Sequence, residues 1–403
     1  MELRNKIKKY QPYIHKLLLL CGIAFPGVNK LVFVLVIKLN NSLETLGIYS
    51  NDMYNAIILS SLSAIGFSAV IMNRIPELKI EDRKKTYTQI SIQAFCINIL
   101  LLPIIYVLYK IHFVYNPVSF LVFLTGLTGY QLYRQYLYAV ADYLKVFLCE
   151  IILLITVSFG FVLFKTNYLL LTHGIIYCIF GFTVFLLHFR KVNIINKKDL
   201  KSGFGFGFAN LSTSVLSEIS APLANQMLGV TYAGLVGLIK PILNFIIIIP
   251  RSLSTYYVPI MVRAKDILER KAIFKKYNAR NNYFLTGILL LGILIWVLFI
   301  KLFPASDLLL ENSTWIFIVL IINLYSSQIS NPYYSLFNVL DKSKLAFYFN
   351  FSMLICFCLS LLFLTSFSGV KGYLTVYITL TILLLIRYAF IVMLYKKNKF
   401  SQE

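Results

Sequence analysis

Long apolar runs separated by short polar connections constrain this sequence more than any other feature. An α-helix rises about 1.5 Å per residue, so about 20 apolar residues cross the roughly 30 Å hydrocarbon layer of a bilayer. Twelve runs of that size occur, approximately at residues 17–39, 46–73, 87–109, 117–139, 145–164, 168–189, 203–228, 232–261, 281–302, 313–338, 345–366 and 372–395. The sequence therefore predicts an all-α integral membrane protein with about twelve transmembrane helices.

The composition agrees with a membrane protein and disfavours a nucleic-acid-binding one. Hydrophobic residues make up 59% of the 403 residues and charged residues only 13%, against about 25% charged in soluble domains. The net charge of +22 would suit nucleic acid if the basic residues shared one folded face. They lie instead in short clusters between the apolar runs, as the positive-inside rule requires. We therefore expect membrane lipids, and no nucleic acid, as partners.

The placement of the basic residues also predicts the topology. Most of the 38 Lys and Arg residues lie in both tails and in alternate connections, including those near 74–85, 190–201 and 263–280. This side is predicted to be cytoplasmic, with both termini on it. The first run is too long for a cleaved signal peptide and has no small-residue cleavage site, so we expect an uncleaved anchor. The connection near 190–201 predicts two six-helix lobes, residues 1–195 and 196–403.

A weak internal repeat relates the two predicted lobes. A shift of 188 residues places Lys30 over Glu218 and Asp52 over Lys240, four of the rare charges inside apolar runs. Both halves begin on the same side, so the repeat would be parallel, with its axis along the membrane normal.

Charges inside membrane spans are functional candidates, because each costs about 2.5–3.5 kcal/mol at the centre of a helix on insertion scales. Lys30 and Glu218 lie near mid-span, where a lined polar cavity explains them better than snorkelling or a purely structural pair. Asp52 lies about two turns inside the outer end of span two. It would bind a coupling proton or act as an interfacial cap, and the sequence does not separate these roles.

Span eight has an informative spacing of polar residues. Lys240, Asn244 and Arg251 fall at i, i+4 and i+11, on one helical face. Such a face is predicted to line a polar cavity, which Asn225 of span seven would join. Span ten carries a stripe of Asn323, Ser327, Ser330 or Asn331, Tyr334 and Asn338, for which interhelical hydrogen bonding is the better explanation.

Three other charged residues near span ends receive structural interpretations first. Glu150 and Arg387 lie close enough to the inner face to snorkel. Arg134 lies within a Tyr-rich stretch that fits an interfacial aromatic belt, although its face could also contact a sugar or a phosphate.

Soluble chemistry is poorly represented. The run 203–207, Gly-Phe-Gly-Phe-Gly, lacks the Lys-Ser/Thr of a phosphate-binding loop and is predicted to be a flexible start of span seven. The four His and six Cys residues show no metal-ligand spacing, and no catalytic constellation stands out. We therefore expect no cofactor, no metal and no enzymatic activity.

The architecture resembles that of Wzx-type flippases, which move lipid-linked oligosaccharide units across bacterial membranes. They belong to the multidrug/oligosaccharidyl-lipid/polysaccharide exporter superfamily. The resemblance rests on twelve spans in six-plus-six halves, short outer connections, basic residues in spans one and eight, and the segment 229–238, which looks like the turn between spans seven and eight in such exporters.

The resemblance implies two six-helix lobes that alternate between inward-open and outward-open states in the bacterial inner membrane. The cargo would be an undecaprenyl-diphosphate-linked oligosaccharide of O-antigen or capsule. Its anionic head would meet the candidate cavity residues Lys30, Arg134, Asn225, Lys240, Asn244 and Arg251. Asp52 and Glu218 are the candidates for ion coupling. A polysaccharide polymerase and a chain-length regulator would be partners in the same pathway.

Two alternatives remain. A membrane-embedded polysaccharide polymerase would carry a large outer loop, and no predicted outer connection is long enough. A drug or cation antiporter of the same superfamily is expected to have an acidic cavity, whereas the charges inside the spans are basic by one.

Overall fold

The computed structural model describes residues 2–164, 168–192, 196–246, 248–264, 266–302, 312–340, 343–364 and 369–397. Within these ranges the regular structure is helical, as an apolar chain that must satisfy its backbone groups inside a bilayer requires. The helices are α1 Glu2–Asn40, α2 Leu43–Ser60, α3 Gly66–Arg74, α4 Ile80–Leu100, α5 Leu102–Lys110, α6 Pro117–Ala139, α7 Tyr143–Leu163, α8 Leu169–His188, α9 Lys197–Glu218, α10 Ser220–Leu228, α11 Val230–Ile246, α12 Ile248–Arg263, α13 Ile267–Leu302, α14 Ser313–Gln328, α15 Asn331–Val339, α16 Ser343–Leu364 and α17 Gly369–Lys397.

Nine of the described helical segments are long and apolar enough to cross a membrane. They correspond to nine of the twelve predicted runs, and the other three, 117–139, 203–228 and 232–261, also fall on helices. Helix α6 is long enough to cross a membrane but carries the polar residues Gln131, Arg134 and Gln135. Helix α9 starts in a basic segment, and the apolar stretch of α11, Val230–Asn244, is short. The protein is thus an all-α, multi-pass membrane protein, as its sequence predicts.

Proline and glycine set the ends of the helices around span seven. Pro222 lacks the N–H that would bond the carbonyl of Glu218, and α9 ends at Glu218. Helix α10 then ends at Leu228 and is capped by Gly229, which has φ of 95°, a conformation that favours glycine. Helix α11 begins at Val230, so the predicted turn between spans seven and eight is present.

By packing, the chain divides into two compact units, Met1–Pro241 and Ile242–Glu403. This division lies closer to the C-terminus than the predicted boundary between lobes 1–195 and 196–403. The two six-helix lobes stay a prediction. In the first unit α2 and α11 approach at backbone distance. A methyl group on Gly47 would overlap the carbonyl oxygen of Val230, and one on Gly234 would overlap that of Leu43. Small residues of this kind allow membrane helices to pack closely.

The second unit has an aromatic core. Tyr257 stacks on Tyr277, with ring centroids 5.2 Å apart, and Phe274 meets Tyr333 edge to face at 5.1 Å. The four rings are almost fully buried. They join the helices α12, α13 and α15 to one another.

The Gly-rich run 203–207 is not a flexible start of span seven, contrary to the expectation from its composition. It lies within the continuous helix α9. Gly203 faces the ring of Phe67, and Gly207 faces the backbone of Leu62. The glycines serve close helix packing, which outweighs their low helix propensity.

Candidate functional site

Two lysines from different helices flank one buried tyrosine in the first unit. The Nζ of Lys30, on α1, lies 6.0 Å from the ring centroid of Tyr54, on α2, and the Nζ of Lys240, on α11, lies 5.6 Å from it. The carboxylate of Glu218 lies 3.6 Å from the Nζ of Lys240. We call Lys30, Tyr54, Glu218 and Lys240 the lysine cluster.

The broken helix at span seven explains the position of Lys240. Its ammonium donates to the carbonyl of Ser217 and, at 3.0 Å, to the hydroxyl of Ser220, on either side of the break. Carbonyls at the C-terminal end of α9 lack intrahelical partners, and a cation is stabilised at that end of a helix. The lysine therefore stabilises the C-terminal end of α9 at the break.

The hydroxyl of Tyr54 is an unsatisfied group in the lysine cluster. The residue is fully buried, and its hydroxyl has no hydrogen-bond partner among the described residues. Buried polar atoms nearly always find a partner, so this hydroxyl is suited to a ligand oxygen. Sequence reasoning missed Tyr54. The only signal was that a tyrosine inside an apolar helix needs a partner for its hydroxyl.

The structure thus brings together three of the predicted charges, Lys30, Glu218 and Lys240. The cluster carries two cations and one carboxylate, so it keeps an excess of one positive charge. Charge interactions are stronger in such a weakly solvated site than in water. Whether these residues bind a substrate stays a prediction.

Asp52 and Asn225 lie elsewhere in the same unit. The carboxylate of Asp52 accepts hydrogen bonds from the backbone N–H groups of Tyr115 and Asn116, at 3.1 Å and 3.3 Å, just before α6. Asn225 accepts a bond of 2.7 Å from the hydroxyl of Tyr115. Asp52 also lines a small pocket with Tyr49. The capping role is therefore present, and the coupling role stays a prediction.

Arg134 pairs with Glu150, the acid that is expected from the sequence to snorkel to the inner face. Its Nε lies 3.4 Å from Glu150, which is only 1% exposed. Asn29 donates to the same carboxylate at 2.7 Å, and the hydroxyl of Tyr130 donates to its other oxygen. The expectation that Glu150 snorkels is wrong, because these donors from α1 and α6 hold the carboxylate inside.

Arg387 in the second unit is also buried and does not snorkel. It is 5% exposed, and its guanidinium donates to Asn350 at 2.8 Å and to the hydroxyl of Ser330 at 3.0 Å. Asn323 donates to Thr381 at 3.3 Å. The interhelical hydrogen bonding predicted for the stripe of span ten is therefore present at Asn323 and Ser330.

Two other predicted residues lie beyond the first unit. Asn244 is partly buried in the last part of α11. The side chain of Arg251 is outside the part of the chain that the structure describes, so the common face predicted for Lys240, Asn244 and Arg251 stays a prediction. Within the described ranges no three His, Cys, Asp or Glu residues are grouped to hold a metal ion.

Comparisons with known proteins give fold information only. No protein-family profile and no curated protein matches the sequence. Among solved structures, a multidrug resistance transporter of the MATE family in an inward-facing conformation shares 12% identity, with a TM-score of 0.64, over 94% of this chain and 96% of that one. A MATE family transporter in an outward-facing conformation shares 13% identity, with a TM-score of 0.60, over 96% and 94%.

A third similar structure is a MOP superfamily transporter from Pyrococcus furiosus, in which a reversed polarity of the binding pocket suggests a different function. It shares 12% identity, with a TM-score of 0.61, over 96% of this chain and 95% of that one. These matches cover nearly the full length of both partners, but their identities are low. The chain therefore has the fold of MATE transporters of the MOP superfamily.

Proposed function

We propose that the protein is a transporter that moves an anionic, lipid-linked oligosaccharide across the membrane by alternating access. The observation that carries this proposal is the excess positive charge of the lysine cluster. Glu218 lies 3.6 Å from Lys240, and the two lysines with one carboxylate keep one excess positive charge, which favours an anion. A diphosphate linked to a polyprenyl tail is such an anion, and its tail remains in the lipid.

The groups around the cluster suit such a head group. Ammonium groups make strong charge-assisted hydrogen bonds to phosphate oxygens. The unpartnered hydroxyl of Tyr54 supplies one more donor. The proposed substrate path also includes Asn225, Asn244, Arg134 and Arg251. In this structure Asn225 accepts a hydrogen bond from Tyr115, and Arg134 pairs with Glu150.

The fold supports alternating access, since similar structures are described as inward-facing and outward-facing transporters. In this proposal both termini are cytoplasmic and the protein lies in the bacterial inner membrane. Polysaccharide polymerase and chain-length regulator are its proposed partners. Glu218 and Asp52 are the two candidates for the ion-coupling group in this proposal, because the exporters that the sequence resembles lack an ATPase domain.

A multidrug or cation antiporter is the second candidate, because the similar MATE structures include multidrug resistance transporters. A cationic drug would need to approach the carboxylate of Glu218. Both lysines of the cluster would oppose that approach. For the Pyrococcus furiosus transporter of similar fold, a reversed polarity of the binding pocket is described as suggesting a different function. That description is a precedent for transporters of this fold that differ in pocket charge and in function.

The decisive experiment measures which leaflet holds the lipid-linked oligosaccharide in cells without the gene. Complementation uses the wild type, Lys30→Ala, Lys240→Ala and Arg251→Ala, with Lys110→Ala as control because Lys110 is exposed and outside the cluster. We expect inner-leaflet accumulation without the gene, rescue by wild type and control, and no rescue by the other variants at equal protein levels. Single units on the outer leaflet would indicate a polymerase, and an unaffected glycan with altered dye efflux would indicate an antiporter.

A further inference from the structure

A six-residue pattern occurs twice in the chain, each time at a broken helix. Residues 217–222 read Ser-Glu-Ile-Ser-Ala-Pro, and residues 327–332 read Ser-Gln-Ile-Ser-Asn-Pro. Helix α9 ends at the Glu of the first copy, and α14 ends at the Gln of the second. In each copy the proline lacks the N–H that would bond the carbonyl four residues before it. The two copies belong to different packing units.

Each break is held by a cation from a later helix, with the same contacts. Lys240 donates to the carbonyl of Ser217 and to the hydroxyl of Ser220 at 3.0 Å. Arg387 donates to the carbonyl of Ser327 at 3.3 Å and to the hydroxyl of Ser330 at 3.0 Å. The first serine carbonyl and the second serine hydroxyl thus form the same acceptor pair twice. A cation is also favoured there by the C-terminal end of the preceding helix.

The two breaks differ in charge at one position. In the first copy Glu218 lies 3.6 Å from Lys240 and neutralises it. In the second copy that position is Gln328, and no carboxylate lies within ion-pair distance of Arg387 among the residues that the structure describes. Within the described ranges, Arg387 is therefore a buried cation that contacts only neutral groups. Inside a membrane such a charge is costly unless an anion balances it.

The guanidinium also keeps an unused donor. Arg387 is 5% exposed, and its Nε has no hydrogen-bond acceptor within the described part of the chain. Its plane lies near the ring of Tyr334, 5.3 Å from the centroid. Tyr334 and Asn350, which both contact the guanidinium, are only partly buried. A planar guanidinium with a free N–H is suited to the oxygens of a phosphate.

We propose that Arg387, with Ser330 and Asn350, forms an anion site at the second helix break, and that its ligand is a phosphate group. The ligand supplies the negative charge that Glu218 supplies at the first break. A phospholipid head group and free phosphate share this chemistry. The inference does not depend on the proposed transport function, because binding is measured on the purified protein without transport.

The test measures the shift of the melting temperature of the full-length protein in detergent during titration with phosphatidic acid, with inorganic phosphate, or with diacylglycerol of the same acyl chains. Gln328→Glu places the acid of the first break into the second. Arg387→Gln removes the charge. Thr381→Val is the matched control, since Thr381 lies on the same helix and bonds Asn323.

We expect phosphatidic acid, inorganic phosphate or both to stabilise the wild type and Thr381→Val, and diacylglycerol to have no effect. Stabilisation by inorganic phosphate would identify a site for the free anion, and stabilisation by phosphatidic acid alone a head-group site. In Gln328→Glu and Arg387→Gln the apparent affinity should fall roughly tenfold or more. No stabilisation of the wild type, or an unchanged affinity in Gln328→Glu, would overturn the proposal. If Arg387→Gln does not fold, Gln328→Glu alone decides.

Discussion

The carboxylate of Glu218 lies 3.6 Å from the ammonium of Lys240, where α9 ends. Both side chains are largely buried, with 15% and 11% of their surfaces exposed. Replacing both partners of such a buried pair with apolar residues changes the free energy of unfolding little. Removal of one partner is costly, because the other charge is left buried.

The first prediction concerns the stability that depends on this pair. Glu218→Ala should lower the free energy of unfolding by about 3 kcal/mol, because Lys240 loses its counter-charge. The double variant Glu218→Ala with Lys240→Met should lose less than the sum of the two single variants. Unfolding of the purified protein in increasing SDS measures all three. Additive effects would contradict an interaction between the two residues.

The second prediction separates the two candidates for ion coupling. Asp52 already accepts two backbone N–H groups before α6, whereas Glu218 contacts a cation of the lysine cluster. We expect Glu218→Gln to abolish the dependence of transport on the proton gradient, and Asp52→Asn to retain it. Transport in vesicles before and after addition of an uncoupler is the measurement. The opposite result would assign coupling to Asp52 and leave Glu218 as a structural partner of Lys240.

Membrane physics explains why the fold follows from the sequence more directly than the contacts of the site. Apolar runs must become helices, and Lys30, Glu218 and Lys240 stand out because charges are rare within such runs. Depth along a helix does not reveal which neighbour a side chain meets. Glu150 therefore looked able to snorkel, although Asn29, 121 positions away, donates to it. A contact at that separation leaves no periodic signal in one sequence, and the same is true of Tyr54.

The third prediction uses the burial of Glu150. If depth in the membrane alone decided the effect, Glu150→Lys would destabilise the protein less than Asp52→Lys, because Glu150 lies closer to a membrane face. The structure leads us to expect an effect at least as severe, because a lysine would face Arg134 and leave the donors of Asn29 and Tyr130 without an acceptor. We expect a loss of about 3 kcal/mol or more, with less protein in the membrane.

The control for this variant is Glu81→Lys, at an exposed position in the first turn of α4. It makes the same change of charge outside any buried contact, and its effect should stay within about 0.5 kcal/mol. Membrane protein levels and SDS unfolding compare the two variants. Equal, small effects would show that Glu150 reaches water and is not held by its partners.

The last prediction concerns the glycines that join α3 and α9. A methyl group on Gly66 would overlap the carbonyl oxygen of Gly203 and approach the backbone of Gly207 to 2.8 Å. Backbone atoms of two packed helices cannot move aside as a flexible side chain can. Gly66→Ala should therefore separate the helices and cost about 1–3 kcal/mol, as overpacking of a core does.

Gly205 provides the matched control, since it lies between the packed glycines on α9 and a methyl group there would meet no atom within 4 Å. Gly205→Ala should stabilise the helix by about 0.5–1 kcal/mol, because alanine has the higher helix propensity and fills open space. Unfolding in SDS should show a lower free energy of unfolding for Gly66→Ala and a higher one for Gly205→Ala. If the run 203–207 were a flexible segment outside a packed helix, Gly66→Ala would be tolerated and the difference between the two variants would disappear.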